Sequence, residues 1–205
     1  FQILRALGAE VIPFSQIEGF TEVLEQSDGD FVAASRWLAE NVINRQPNVF
    51  HTAQLENPAN PAAHYRTTGP EIWQQTEGQV DIVIAAVGTG GTVSGIGRYL
   101  KQHNPAIQVI AVEPGPHSIP TADRPEQREL TGVHAFSEVL PERVPPTLDR
   151  SIVDEAFPVE HWQATAAARE VAVSDGIVVG ESAGGVLQAA RAVELRPEGH
   201  GKRIV

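Results

Sequence analysis

Cysteine and methionine are absent from the 205 residues, and only two lysines occur, Lys101 and Lys202. Without cysteine there can be no disulfide, thiolate nucleophile or cysteine-type zinc site, a composition that fits the cytoplasm. Lys and Arg number 15 against 26 Asp and Glu, a net charge of −11. That balance argues against nucleic acid, whose phosphates need a basic face, and is read as serving solubility. No apolar run approaches the roughly 20 residues of a membrane helix. The start lacks a basic segment followed by an apolar one, so neither a membrane partner nor a leader is expected. The chain opens on Phe1 rather than methionine, and residues 201–205 read as the opening of a buried strand, so both ends read as cuts.

What is present is globular. Hydrophobic residues make up 41% and charged residues 20%, a balance unlike that of disordered chains. The length suits one large domain, or one domain and part of another. Apolar residues at 1, 3, 4 and 7 predict a helix stopped by Gly8. Val32, Ser35, Trp37, Leu38 and Val42 continue the helical pattern over 31–42. Residues 11–14 and 48–54 read as short strands. Residues 57–61 read as irregular, because Pro58 and Pro61 lack donors and restrict their neighbours. A helix is expected over 67–75.

Asp81 to Val87 is an acid followed by a continuous apolar run, the pattern of a strand buried on both faces of a parallel sheet. Glycines, a helix through Leu100 and a second apolar run at 108–112 complete a βαβ unit. The stretch 113–146 is long for a connector and reads as a functional loop. Residues 151–157 and 176–179 read as further strands, 162–174 and 186–195 as helices. The fold class is α/β, a three-layer protein with a mostly parallel sheet.

Between the buried strand and its helix lie Gly88, Thr89, Gly90, Gly91 and Thr92. Ligands of α/β sheets bind at the carboxyl ends of strands. There, glycine amides and a helix start favour an anion, most naturally a phosphate. The loop is not a Walker sequence, which carries a Lys before its Ser or Thr, and it lacks the third glycine of a dinucleotide fingerprint. A tight turn without a ligand is the plain alternative.

The loop does not stand alone. Gln54 to Pro61, His64, Thr67 to Trp73, the strand and glycine loop, Val112-Glu113-Pro114, Leu148 to Glu155 and Gly180 to Gly184 follow in an order that resembles the cysteine synthase and cystathionine β-synthase family, fold type II pyridoxal-phosphate enzymes. The likeness spans nearly the whole chain. It implies pyridoxal 5'-phosphate as cofactor, a small amino-acid substrate and a homodimer, with residues 1–60 as part of a smaller α/β domain, 61–205 as a large domain cut at its C-terminus, and the cofactor cleft where the two meet near 54–61. The implied chemistry is β-replacement in cysteine biosynthesis, forming L-cysteine from O-acetylserine and sulfide. Cystathionine β-synthase (serine plus homocysteine) is the alternative, and Ser182-Ala183-Gly184 and Leu148-Asp149-Arg150 lean that way.

Residue by residue, the resemblance gives the cofactor phosphate to Gly88, Thr89, Gly90, Gly91 and Thr92. It gives the pyridine nitrogen to the Ser182 hydroxyl, the substrate carboxylate to Gln54, and the site entrance to the segment from Gly132. Plainer roles stand beside these: Ser182 as a helix N-cap, Gln54 as a strand-end polar residue, Asn57 and Asn60 as turn residues bonding their own backbone, His64 as structural, and Trp73 as core or interface. The family's Schiff-base lysine lies in its N-terminal region and is expected upstream, so no catalytic residue is assigned here and the chain alone is expected to be inactive. Lys101 and Lys202 read as solvated surface residues. Where the family has Gly-Ile-Gly, this chain has Gly132-Val133-His134-Ala135-Phe136, so His134 and Phe136 are expected to reshape the entrance. Glu181 stands where the family usually has an apolar residue or glycine. An acid there either faces solvent or influences protonation beside the cofactor. A non-catalytic ligand-binding relative is the second reading. A nucleotide-binding domain is the third, with Glu113 as its only candidate for the ribose-binding acid.

Overall fold

The computed structural model describes residues 2–27, 29, 31–141 and 144–205. Phe1 and the side chain of Val32, both part of the apolar stripes above, lie outside them. The chain divides into two compact units, Phe1–Ala53 and Gln54–Val205.

The first unit is helical where described: α1 (Gln2–Ala6), α2 (Phe20–Gln26) and α3 (Phe31–Asn41). Phe20, Ala34 and Leu38 form its buried core. Gly19 sits at φ +83°, where a β-carbon would stand 2.8 Å from the Trp37 ring; a side chain there is barred twice, by backbone conformation and by space. The strands expected at 11–14 and 48–54 do not form. Pro13 brings no donor, and its carbonyl closes a turn with the Gln16 amide. Ala53 takes a positive φ of 46°, which ends any extended run there.

The second unit carries a parallel sheet in the order β1 (Ile82–Ala86), β2 (Gln108–Pro114), β3 (Glu155–Val159). Val205 extends it beyond β1: its amide donates to the Ile82 carbonyl, and its carbonyl accepts from Ile84. Strand residues alternate between two cores, as the two-residue period dictates. Val83, Val109 and Ala111 face one core, together with Val93, Ile96 and Leu100 of α6 (Gly91–His103). Ile82, Ile84, Ile110 and Val112 face the other, with Ala164 of α7 (His161–Ser174) and Ala189 and Val193 of α8 (Glu181–Glu194). The second unit is therefore a three-layer α/β arrangement with a parallel sheet.

Helices α4 (Ala59–Arg66) and α5 (Thr68–Gln75) pack on α6. They meet it at glycines: a β-carbon on Gly95 would stand 2.3 Å from the Pro61 carbonyl, and one on Gly69 2.7 Å from Tyr99. Helix α4 corrects the expectation of irregular chain at 57–61. Pro58 is its N-cap and Pro61 falls in its first turn, where backbone donors are unpaired in any helix, so neither ring costs a hydrogen bond. Two further corrections concern 176–195. Residues 176–179 are not a strand; Ile177 and Val178 are exposed, with no strand paired to them among the described residues. Helix α8 begins at Glu181, five residues before the expected start. Among the described residues no helix is long and apolar enough to cross a membrane.

Candidate functional site

The loop from Gly88 to Thr92 leaves the carboxyl end of β1 and enters α6. Gly90 is the N-cap of α6, in the left-handed conformation at φ +80°. The amides of Thr89, Gly90, Thr92 and Val93 donate to no protein acceptor among the described residues. These are the free amides of a helix start, with the positive end of its dipole behind them.

Polar side chains back the loop. Asn60 of α4 donates from Nδ2 to Thr89 Oγ1 at 2.9 Å and to the Gln54 carbonyl at 2.7 Å. One turn on, His64 Nε2 lies 3.1 Å from Thr92 Oγ1, and its Nδ1 lies 3.0 Å from Thr68 Oγ1. Thr147 Oγ1 donates to the Thr89 carbonyl at 2.6 Å. A β-carbon on Gly90 would stand 2.5 Å from Leu148 Cβ, and one on Gly91 1.9 Å from Asn60 Oδ1. Glycine is required at both positions because neighbouring side chains already fill the space.

The segment from Leu130 to Ser137 closes over the loop. The His134 amide donates to the Val87 carbonyl at 2.7 Å. The Gly132 carbonyl lies against Gly88, 2.6 Å from where a β-carbon would be. Glu113, only 7% exposed, anchors this segment. Its Oε2 accepts from the amides of Phe136 (2.9 Å) and Ser137 (3.0 Å), and its Oε1 accepts from the Ser137 hydroxyl. Phe136 itself is buried in the core beside α6, so the expectation that it shapes an entrance is corrected: a benzyl group joins the core when its backbone is pinned beside it. His134 keeps an exposed side chain.

The second glycine motif reaches the same segment through Glu181. Its Oε2 accepts from Thr131 Oγ1 at 3.1 Å, and its Oε1 lies 3.3 Å from His161 Nε2. Burial pushes the Glu181 carboxyl up, but the hydrogen bonds from Thr131 and His161 outweigh it and hold the carboxyl below its ordinary value. Glu181 is thus a tie between α8 and the Gly132 segment. Ser182 follows on an exposed stretch of the first turn of α8. It is not the N-cap, a position taken by Gly180.

The sequence-assigned residues fall as follows. Gly88 to Thr92 and Gly132 meet directly. Gln54 reaches the loop through its carbonyl and Asn60, and its side chain is exposed. Ser182 is joined to the others through Glu181 and Thr131. Two residues that position the site, Asn60 and Glu113, carry no local signal in the sequence. Asn57 does bond its own backbone, Oδ1 accepting from the Ala59 amide at 2.9 Å, whereas Asn60 reaches 29 residues along the chain to Thr89. Neither lysine approaches the loop, and neither is simply solvated. Lys101 pairs with Asp154 at 2.7 Å and Lys202 with Asp81 at 3.2 Å. Lys101 lies ten residues after Gly91 on the same helix, roughly 15 Å along its axis.

Free amides, threonine hydroxyls and glycine-only clearance at a helix start make a cradle for an oxyanion, and the residues fit a phosphate group. The family described as "Pyridoxal-phosphate dependent enzyme" matches residues 1–205. The chain belongs to the pyridoxal-phosphate dependent enzyme family. Among relatives, it is 40% identical over 203 residues to cysteine synthase 3 of Caenorhabditis elegans, covering 99% of this chain and 55% of that protein. It is 37% identical over 188 residues to cystathionine beta-synthase of Apis mellifera, covering 91% of this chain and 35% of that protein. The crystal structure of O-acetyl serine sulfhydrylase isoform 3 from Entamoeba histolytica superposes with a TM-score of 0.78 at 32% identity, over all of this chain and 56% of that one. The chain thus spans a little over half the length of the cysteine synthase relative.

Proposed function

We propose that the chain is the cofactor-binding portion of a pyridoxal-phosphate dependent cysteine synthase, an enzyme that forms L-cysteine from O-acetylserine and sulfide. The observation that carries this reading is the loop Gly88–Thr92, whose unpaired groups are donors at a helix start. Likeness to proteins named cysteine synthase and O-acetyl serine sulfhydrylase supports the choice of reaction. When bound, pyridoxal phosphate supplies the electron sink that β-replacement requires.

Gly88, Thr89, Gly90, Gly91 and Thr92 hold the phosphate in this reading. The Ser182 hydroxyl, exposed at the start of α8, hydrogen-bonds the pyridine nitrogen. A neutral hydroxyl there leaves that nitrogen largely unprotonated, which suits elimination and replacement more than transamination. Gln54 offers its exposed amide donors to the substrate carboxylate, and Gly132 borders the entrance. The protein works in the cytoplasm as a homodimer on a small amino-acid substrate.

Likeness to the Apis mellifera cystathionine beta-synthase keeps serine plus homocysteine as the second reading. The test is an assay of the full-length protein loaded with pyridoxal phosphate. Cysteine formed from O-acetylserine and sulfide supports the first reading. Cystathionine formed from serine and homocysteine, without cysteine, replaces it with the second. Binding of pyridoxal phosphate with neither product replaces both with a non-catalytic binding role.

A further inference from the structure

Thr89 has two acceptor sites on its side-chain oxygen and one on its carbonyl that matter here, and all of them are filled from within the protein. Oγ1 accepts from Asn60 Nδ2 at 2.9 Å and from the Gly91 amide at 3.2 Å. The carbonyl accepts from Thr147 Oγ1 at 2.6 Å. A hydroxyl has two lone pairs and one proton. With both lone pairs occupied, the proton is the only group Thr89 Oγ1 has left to offer. The orientation of the Asn60 amide is fixed by chemistry: the same Nδ2 lies 2.7 Å from the Gln54 carbonyl, which can only accept. Asn60 sits where a β-carbon on Gly91 would be, 1.9 Å from its Oδ1, so the glycine at 91 and the asparagine at 60 require one another.

We infer that Asn60 is a positioning residue that turns the Thr89 hydroxyl into an obligate donor toward a bound phosphate. The inference rests on the phosphate site proposed above and adds the residue that sets its polarity. Asn60 touches no ligand itself. It makes the loop select an acceptor-only anion by removing the alternative in which Thr89 accepts.

The test is binding of inorganic phosphate and of pyridoxal 5'-phosphate to the chain by titration calorimetry, with thermal melting to confirm folding. Asn60→Ala is expected to weaken phosphate binding about tenfold, consistent with the loss of one charge-assisted hydrogen bond. Asn60→Asp, whose carboxylate can only accept, draws the Thr89 proton inward and is expected to weaken it about a hundredfold. In a Thr89→Val background the Asn60→Ala effect should vanish, whereas a merely structural role would leave it unchanged. Thr89→Ser should bind within about twofold of wild type and Thr89→Val about tenfold worse. This pair leaves α4 untouched and carries the test if the Asn60 variants fail to fold. Wild-type binding with unaltered affinity in Thr89→Val overturns the Asn60 assignment alone. Absence of binding to either probe by the wild-type chain overturns the phosphate site, and the assignment with it.

Discussion

The carbonyl oxygen of Gly132 lies against Gly88, 2.6 Å from where a β-carbon on Gly88 would stand. Two segments 44 residues apart in sequence meet there with no room for a methyl group. Because the obstructing atom belongs to the backbone, Gly88→Ala must move the whole Gly132 segment. The expected result is a destabilisation of about 1–3 kcal/mol, typical of overpacking, read as a lower urea midpoint with unchanged slope. Pyridoxal phosphate binding should weaken alongside it.

Glu113 holds that segment from beneath. Truncation to alanine leaves the amides of Phe136 and Ser137 without their acceptor in a buried place. Glu113→Ala should therefore cost about 2–3 kcal/mol, and Glu113→Gln less, since its amide oxygen still accepts. Urea denaturation of the two variants checks the order. Equal losses would mean that the charge, rather than the acceptor geometry, is what the site needs.

The tie from Glu181 to Thr131 is pH-dependent in a definite direction. Its folded carboxyl is held below its ordinary value. The stability it contributes is therefore present above the ordinary carboxylate value and is lost as pH falls through the lower folded one. Melting temperature measured from neutral pH into the acid range should fall less steeply in Glu181→Gln than in wild type. Parallel curves for the two proteins would count against the tie.

Arg196 grips Glu155 with both arms of its guanidinium, at 2.8 and 2.9 Å, and its Cζ lies 5.3 Å from the centre of the Phe157 ring. Lysine keeps the charge but loses the fork and the flat face. Arg196→Lys should cost up to about 1 kcal/mol, since the pair is partly solvated, and should leave phosphate binding unchanged. Chemical denaturation together with phosphate titration separates the two effects.

Much of this was legible in the sequence, and the residues say why. The run 82–86 and the glycines after it announced β1 and the loop, since an apolar strand buried on both faces and a helix-start anion site each have a distinct local pattern. The runs at 11–14, 48–54 and 176–179 were equally β-branched or aromatic, but strand formation needs a partner row. Pro13 and Ala53 also broke two of them locally. The prolines at 58 and 61 look like helix breakers, yet at the N-cap and in the first turn of α4 they cost no hydrogen bond. Asn60 and Glu113 escaped for a different reason: their partners, Thr89 and Ser137, are 29 and 24 residues away, and nothing in the sequence marks such pairings.

The most direct test of the central claim, that Gly88 to Thr92 cradle the cofactor phosphate, compares pyridoxal 5'-phosphate with pyridoxal in titrations of the chain. The phosphorylated form should bind at least about a hundredfold tighter, inorganic phosphate should compete with it, and Gly91→Ala, by displacing Asn60, should weaken it about tenfold, as Asn60→Ala does. Equal binding of the two compounds, unmoved by phosphate or by Gly91→Ala, would contradict it.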